Sequence, residues 1–380
     1  MRILTFLHSF EPGGVERVAL RLVRHWRAAG VEALLFLGRT DGPMRADVAR
    51  DLDCHVPPPL PVSIAWCETL WMVATLPGHI RRTRPDALFC AGNCYAIVAV
   101  AMKLLLGPAC PPILAKISND LERRDMVWPV RILYRAWLRI QGRCIDHFVA
   151  MAPGLEREIV RLIRPVGSVS VIPDPALSID QIARLRAARR ERRGAGRLFV
   201  AIGRLVAQKN YPLMLHAFAQ GGRADDRLHI YGDGPARKHI ITISKRLGIA
   251  DRVTLMGHVS DPASHIGDAT AFLLSSDYEG VPAALLEALA VGLPVIATQS
   301  SAAIPALLGN GVLGQRVKTC STVHLAVAIT QADTLPQDAD ASLEQVLCFT
   351  LERAAPAYLR AFAALAHAPQ SFPSTMTSLT

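Results

Sequence analysis

The 380-residue sequence lacks the long apolar runs that are typical of transmembrane helices and signal peptides. Its longest apolar stretches, at 60–77 and 94–108, are interrupted by Glu68 and Lys103, so we predict no transmembrane helix. The apolar run at the N-terminus, Ile3 to Leu7, is shorter than that of a signal peptide and predicts a first strand instead.

Cysteine and charge are both sparse. The eight cysteines are scattered and too few for a disulfide scaffold, which favours a reducing, cytoplasmic location. Cys90 and Cys94 have a spacing found in metal sites, but no second pair or histidine cluster accompanies them, so we expect buried thiols and no metal. Charged residues make up 19% and hydrophobic ones 51%, a composition typical of a globular protein with ample core.

The net charge of +10 is placed unevenly. Residues 194–380 hold fourteen basic and fourteen acidic residues, so the whole excess lies in residues 1–193. Such asymmetry indicates an acidic partner or an anionic membrane surface met on one face. A basic protein can also bind nucleic acid, but this chain shows no stacking platform or recognition helix, so we predict no nucleic-acid partner.

One segment, 130–144, combines basic and apolar character at helical spacing. One helical face is apolar, and an arginine recurs every four residues; the residues are Val130, Leu133, Tyr134, Trp137 and Ile140, and Arg131, Arg135, Arg139 and Arg143. Two interpretations fit this pattern. The helix can rest on anionic lipid headgroups, or its apolar side can face the core while the arginines are solvated.

Strand-like apolar runs alternate with helix-length segments along the chain, which predicts an α/β fold with parallel sheets. The pattern pauses at Pro173-Asp174-Pro175 and restarts at Gly194. We therefore predict two Rossmann-like domains whose sheets face each other across a cleft. The predicted parts are an N-terminal domain at 1–175, a basic junction at 176–193, a C-terminal domain at 194–342, a closing helix or helix pair at 343–366 and a loose tail at 368–380.

The most informative motif carries two glutamates eight positions apart. Glu279 and Gly280 follow an apolar strand-like run, and Val281 and Pro282 precede a helix-like stretch that contains Glu287. Proline suits the first turn of a helix, where unpaired N–H groups favour an anion. The motif thus predicts a cradle for a nucleotide sugar, with a phosphate at the helix start, one of the two acids at the sugar and the other at the ribose. A surface helix with an acidic start is the alternative.

A second motif follows the strand-like run Phe199 to Ile202. Gly203, Arg204 and Lys209 lie in the loop between this run and a helical pattern that begins at Tyr211. Two cations at the carboxyl end of a strand can neutralise a diphosphate leaving group in place of a magnesium ion. The alternative is an exposed loop whose charges are solvated.

Two glycine turns also join strands to helices. Gly13 and Gly14 allow the backbone to approach a ligand at a helix start, but no third glycine or Gly-Lys-Ser follows, so NAD and ATP are not indicated. Asp233 and Gly234 lie in a turn that can form the wall around a nucleobase and its ribose, although many such turns are only connections.

Taken together, these motifs resemble glycosyltransferase family 4, the retaining enzymes with the GT-B fold. The resemblance covers nearly the whole chain: the Gly-Gly turn at 13–14, the segment 203–210, the turn 232–235, the element 279–287 with Gly292 to Ala297, and Glu352 to Ala355. It implies that a final helix returns to the N-terminal domain. It also implies that no cofactor or metal is required.

The resemblance assigns a role to each matching residue. Arg204 and Lys209 would hold the donor diphosphate, Glu279 would face the donor sugar, and Glu287 would bind the ribose hydroxyls. Gly14 would approach the phosphate from the other domain. Many members carry a sugar-contacting histidine after the strand that corresponds to Ile113 to Ile117, but this chain has Asn119 there, which can donate a hydrogen bond but cannot shuttle protons.

The expected function is therefore retaining transfer of a hexose from a nucleotide diphosphate sugar to a saccharide hydroxyl, with a soluble or lipid-linked acceptor. We favour a lipid-linked acceptor at the inner membrane face, in lipopolysaccharide or cell-surface polysaccharide synthesis, with the protein cytoplasmic or peripheral. A nucleotide-sugar epimerase or a sugar phosphorylase of similar architecture is one alternative, and a non-enzymatic nucleic-acid binder is another.

Overall fold

A computed structural model describes residues 1–367 except 12, 43, 48–51, 59–67, 124–125, 193 and 319. The predicted loose tail at 368–380 lies outside the described residues. The chain forms two compact units. The first comprises Met1–Pro175 together with the chain from Leu351 onward, and the second comprises Ala176–Thr350.

The first unit is built on a parallel sheet with the strand order β2-β1-β3-β4-β5-β6. Most of its strands are apolar and buried on both faces, as expected for a sheet that helices cover on each side. The strands are β1 (Arg2–Leu7), β2 (Glu32–Leu37), β3 (Ala87–Cys90), β4 (Ile113–Ile117), β5 (His147–Ala150) and β6 (Ser168–Val171).

Seven helices of the described chain belong to this unit: α1 (Gly14–Ala28), α2 (Met44–Asp47), α3 (Glu68–Thr83), α4 (Ala96–Leu106), α5 (Trp128–Cys144), α6 (Leu155–Leu162) and α14 (Leu351–His367). The last of these packs on α1 and β3. Its anchor is the buried Trp26, whose indole N–H donates to the carbonyl of Ala355 at 3.1 Å. The rings of Phe89, Tyr358 and Phe362 surround that indole, so aromatic packing holds α14 in the first unit.

The second unit repeats this design with the strand order β12-β11-β10-β7-β8-β9. All of its strand pairs are parallel. The strands are β7 (Leu198–Ile202), β8 (Arg227–Tyr231), β9 (Val253–Gly257), β10 (Ala271–Leu274), β11 (Val295–Thr298) and β12 (Gly314–Val317).

The helices of the second unit are α7 (Ile179–Ala187), α8 (Tyr211–Gly221), α9 (Arg237–Arg246), α10 (Ala283–Val291), α11 (Ile304–Leu307), α12 (Thr322–Thr330) and α13 (Ala339–Leu347). Both α7 and α13 pack on α10. Residues 176–193, predicted as a junction, therefore lie within the second unit. The predicted closing segment 343–366 is divided, because its first residues belong to the second unit and α14 belongs to the first.

Two edge strands were absent from the sequence prediction. The sequence of β6 is Ser-Val-Ser-Val and that of β12 is Gly-Gln-Arg-Val. Each is short, partly polar and paired on one side only, so neither has the continuous apolar run by which central parallel strands are recognised. None of the helices in the described ranges has both the length and the hydropathy needed to cross a bilayer.

A histidine pair in the first unit makes its stability depend on pH. The rings of His55 and His79 stack at 4.2 Å, and Phe36 and the guanidinium of Arg82 contact His79. Burial, with smaller contributions from His55 and Arg82, lowers the pKa of His79 from 6.5 to about 4. Between these two values the unfolded chain binds more protons than the folded one, so stability falls as the pH falls.

We therefore expect the melting temperature of the first unit to drop between pH 7 and pH 5, and to drop less in a His79→Phe variant. All five tryptophans lie before residue 140, so their fluorescence reports this unit alone. The control is His216→Phe, at an exposed position on α8, which should keep the parental pH dependence. An unchanged pH profile in His79→Phe would contradict the assignment.

Candidate functional site

Loops at the carboxyl ends of β7 and β8 bring several predicted residues together. The backbone N–H of Gly203 donates to Tyr231 at 2.9 Å, and that of Leu205 donates to the carbonyl of Asp233 at 2.9 Å. A Cβ at Gly232, where φ is +134°, would lie 2.0 Å from the carbonyl oxygen of Gly203. Only glycine fits such an approach, so this residue allows the two loops to pack against each other.

Arg204 and Lys209 lie at opposite ends of the first of these loops and differ in their surroundings. Arg204 is exposed. Lys209 is largely buried, and its Nζ lies 2.5 Å from Oε1 of Glu279. Two of the predicted catalytic residues thus form one ion pair, although 70 positions separate them in the chain.

Glu279 is buried and held from several sides. Its Oε1 also accepts a hydrogen bond from the hydroxyl of Ser276 at 2.6 Å, and its backbone N–H donates to Ser300 at 2.8 Å. Both side-chain donors bind Oε1, and no described residue donates a hydrogen bond to Oε2. The carboxylate is therefore fixed in orientation while one of its oxygens can accept a bond from a ligand.

The loops that follow β7 and β10 are joined by further hydrogen bonds. Asn210 donates from its side chain to Asp277 at 2.7 Å, and Gln208 donates to the carbonyl of Tyr278 at 2.8 Å. Asn210 adopts a left-handed conformation (φ +44°) and caps α8 by accepting from the backbone N–H of Leu213. Capping and cross-loop bonding by the same side chain keep Lys209 and Glu279 close together.

The helix that follows Glu279 begins one residue later than predicted. Pro282 has extended backbone angles and is the N-cap of α10, which starts at Ala283. Gly280 is fixed by a hydrogen bond from the hydroxyl of Ser301 to its carbonyl at 2.8 Å. Val281 thus lies in the loop before the cap, while Glu287 is half-buried on α10 itself.

Tyr211 lines the same region. Its hydroxyl donates to the carbonyl of Gly203 at 3.0 Å. Burial raises the pKa of this phenol, and the negative charge of Glu279 raises it further. The phenol therefore stays protonated at neutral pH and acts as a donor that supports the Gly203 backbone.

The remaining predicted residues lie in the first unit. Gly13 is the N-cap of α1, and a Cβ there would lie 1.9 Å from a carboxylate oxygen of Glu16. Gly14 is exposed, and a Cβ there would meet no atom within 4 Å. Asn119 is exposed just after β4, next to Ser118, whose backbone N–H donates to the side chain of Asn93 at 2.7 Å.

The sequence prediction missed a polar cluster at the carboxyl end of β1. The buried Tyr95 donates to Glu16 at 2.7 Å and accepts from the backbone N–H of His8 at 3.3 Å, and the His8 ring lies 3.3 Å from the hydroxyl of Thr69. Burial lowers the pKa of His8 against the raising effect of Glu68 and Glu16. The one feature of the sequence that could have indicated this cluster is the position of His8 directly after a predicted strand. Tyr95 gave no such indication.

Possible metal ligands are dispersed in this structure. In the part of the chain that the structure describes, His, Cys, Asp and Glu side chains nowhere gather in threes in an arrangement that could hold a metal ion. Cys90 is buried and its thiol contacts the carbonyl of Gly92, while Cys94 is exposed.

Comparison with known proteins decides the family. A model described as Glycosyltransferase Family 4 matches residues 12–175, and one described as Glycosyl transferases group 1 matches residues 186–342. The chain belongs to glycosyltransferase family 4. The two models meet close to the boundary between the structural units.

Curated relatives of this family member match over part of their length. The chain is 27% identical to an Escherichia coli lipopolysaccharide 1,6-galactosyltransferase over 40% of this chain and 43% of that protein. It is also 27% identical to a Campylobacter jejuni N-acetylgalactosaminyltransferase acting on a diphospho-undecaprenol, over 32% of this chain and 33% of that protein. The chain thus spans less than half of either relative.

Solved structures match nearly the whole length of this chain. The apo form of the lipopolysaccharide outer core galactosyltransferase WaaB has a TM-score of 0.75 at 18% identity, covering 96% of this chain and 99% of that one. Anabaena HepE in complex with UDP has a TM-score of 0.74 at 18% identity, covering 96% and 100%. These likenesses show the fold, and they confirm the predicted GT-B class.

Proposed function

We propose that this family 4 member transfers a hexose from a nucleotide diphosphate sugar to a saccharide hydroxyl with retention at the anomeric carbon. The observation that carries the proposal is the Lys209–Glu279 pair at 2.5 Å in loops at the carboxyl ends of neighbouring strands. Open α/β sheets bind their ligands at this end.

The charges that develop during the reaction explain the role proposed for each residue. When the bond from the anomeric carbon to the diphosphate oxygen breaks, negative charge grows on the phosphate and positive charge on the sugar ring. Arg204, Lys209 and the amide groups before α10 would stabilise the phosphate, and fixed groups of this kind act most strongly where charge develops. No metal is needed in this scheme.

Glu279 is proposed to orient the donor sugar. Its Oε1 is occupied by Lys209 and Ser276, so Oε2 would accept a sugar hydroxyl. One carboxylate at this position does not suit the paired-carboxylate mechanism of glycosidases. We propose front-face attack instead: the acceptor oxygen bonds to the anomeric carbon on the face that the phosphate leaves, and the leaving phosphate oxygen takes the acceptor's proton.

Other predicted residues are proposed to complete donor binding. Glu287 would bind ribose hydroxyls, while Gly203, Asp233 and Gly234 would surround the nucleoside. Anabaena HepE has been solved with UDP and with UDP-glucose, which supports a nucleoside diphosphate as the shared ligand. In the first unit, Asn119 and the backbone at Gly13 and Gly14 would contact the sugar and its phosphate.

The acceptor is proposed to be a lipid-linked saccharide in bacterial lipopolysaccharide or cell-surface polysaccharide synthesis. Two observations support this. The names of the Escherichia coli and Campylobacter relatives refer to lipopolysaccharide and to an undecaprenol-linked acceptor, and the net positive charge of this chain lies in residues 1–193. The enzyme would then work in the cytoplasm at the inner membrane face.

Thermal shift with nucleotides tests the donor site. We expect a nucleoside diphosphate to stabilise the protein, and Arg204→Ala to lose most of that shift because the exposed cation no longer meets the phosphate. Arg246→Ala, at another exposed position of the second unit, is the matched control and should retain the shift. Equal shifts in both variants would count against the donor site.

Transfer itself is tested with a panel of nucleotide sugars and saccharide acceptors, and product configuration is read by NMR of the anomeric proton. Retention is expected. An inverted product would overturn the mechanism. Isomerised sugar after incubation with the donor alone would indicate the epimerase alternative.

A further inference from the structure

Helix α5 exposes apolar side chains that the core of the first unit does not use. Only Leu138, Gln141 and Gly142 of this helix are buried. Trp128 is 69% exposed and Leu133 71% exposed, and smaller apolar side chains around them are also open. Of the two interpretations of this segment, the one in which the apolar side faces the core does not hold for Val130, Leu133 and Ile140, which are exposed. We call the following set the α5 surface: Val127, Trp128, Val130, Ile132, Leu133, Arg135, Ile140 and Arg143.

The same helix is basic and contains no acidic residue. Arg131, Arg135, Arg139 and Arg143 recur every four residues along α5. Arg139 is engaged inside the unit, where its guanidinium donates to the carbonyl of Leu162 at 2.7 Å. Within the described ranges, Arg135 and Arg143 form no ion pair, and both are exposed. Cations thus flank an open apolar stripe.

The adjacent helix α4, which packs on α5, has exposed side chains of similar character. Leu104 and Leu105 near its C-terminus are open to solvent. Lys103 pairs with Asp146 at 2.7 Å, so the carboxylate of Asp146 is not an unpaired negative charge beside these leucines. Exposed apolar side chains on two packed helices exceed the single residues that are normal on a soluble surface.

We infer that the α5 surface docks the protein on an anionic lipid bilayer, with α5 lying in the plane of the headgroups. A helix of seventeen residues is roughly 25 Å long, which suits interfacial binding. Tryptophan favours the boundary between headgroups and acyl chains. Apolar side chains can enter that boundary while arginines bind phosphate groups.

Charge favours a bilayer over a second copy of this chain. A two-fold symmetric contact would place one α5 surface against another. The arginines of both copies would then face each other with no acidic residue on either helix. An anionic bilayer instead supplies the opposite charge. This inference rests on the proposed function, since a lipid-linked acceptor gives the enzyme a reason to be at a membrane.

Vesicle flotation tests the electrostatic part. The full-length chain should float with vesicles of phosphatidylcholine and phosphatidylglycerol, less with phosphatidylcholine alone, and less at high salt, because screening weakens exposed charges. Each arginine removed should weaken binding about fivefold, so Arg135→Gln with Arg143→Gln should weaken it roughly 25-fold. Lys245→Gln with Arg246→Gln removes two exposed cations from α9 and should bind like the parent.

A second variant pair tests the apolar part. Leu133→Glu with Ile140→Glu changes side chains that are 71% and 42% exposed, so folding should persist while flotation is lost. The matched control is Val323→Glu with Val327→Glu on α12, where the exposures are 67% and 47%. This control should float like the parent, and melting temperatures should agree across all variants.

Three outcomes would overturn the inference. The first is no flotation of the parent with anionic vesicles, and the second is equal flotation of the α5 variants and their controls. The third is a dimer, seen by light scattering, that Leu133→Glu dissociates, because a second copy would then cover the surface. Nucleotide thermal shift is measured on the same samples. A retained shift without flotation refutes docking alone, whereas flotation without any shift refutes only the donor site.

Discussion

Glu279→Gln should lower the rate of glycosyl transfer about 10²- to 10³-fold, the usual effect of removing one fixed electrostatic group from an active site. The amide keeps the shape of the side chain and can still accept from Ser276, which lies 2.6 Å from Oε1. It removes the charge that holds Lys209 and the strong acceptor proposed for the sugar. Single-turnover kinetics measure the loss.

Binding of the nucleotide should persist in this variant, because the amide groups before α10 and Arg204 are unchanged. Thermal shift with a nucleoside diphosphate therefore separates a lost reaction from a lost fold. A turnover within threefold of the parent would remove Glu279 from the proposed mechanism.

The chain offers a matched control for Lys209. Lys209 and Lys103 both pair with a carboxylate, at 2.5 and 2.7 Å, and their side chains are 18% and 19% exposed. Lys209→Met should reduce both transfer and nucleotide binding. Lys103→Met should retain both, since its partner Asp146 directly precedes β5 and neither residue is among the proposed donor contacts. Equal activity of the two variants would show that the Lys209 charge is structural.

Asp226→Ala should produce the largest loss of stability, about 3–5 kcal/mol, since it removes the buried partner of a buried guanidinium. The other carboxylate near Arg197, that of Asp333, is farther away, at 3.6 Å, and its side chain is 45% exposed. Arg197 and Asp226 are both buried and pair at 2.7 Å. Asp226 also accepts from the backbone N–H groups of Arg197 and Arg223. Burial acts to raise the pKa of Asp226, but these hydrogen bonds outweigh it and lower the pKa below its ordinary value.

Calorimetry should show the second unit melting roughly 10 °C lower in Asp226→Ala, at about 2–4 °C per kcal/mol for a unit of this size. Glu32→Ala is the control, because its ion pair with Arg2 is also 2.7 Å long but is exposed. It should cost less than about 1 kcal/mol. Equal losses in the two variants would show that burial does not determine the strength of these pairs.

Several features of the fold could be predicted from the sequence because they depend on short-range patterns. Apolar runs predicted the central strands, and the polar and glycine residues after them predicted loops at the carboxyl ends. The edge strands β6 and β12 lack that pattern and went unrecognised. Helix α10 begins at Ala283, one residue later than predicted, because Pro282 is the N-cap of the helix and not its first residue.

The sequence by itself determined the alternation of strands and helices, the motifs of family 4 and the excess of positive charge before residue 194. It did so because side-chain periodicity and loop chemistry are local properties. Only the tertiary structure joined Lys209 to Glu279, gathered His8, Glu16 and Tyr95 at one strand end, and left the apolar stripe of α5 exposed. Those outcomes depend on which strands become neighbours and which helix faces find a partner, and both are set by packing between residues far apart in the chain.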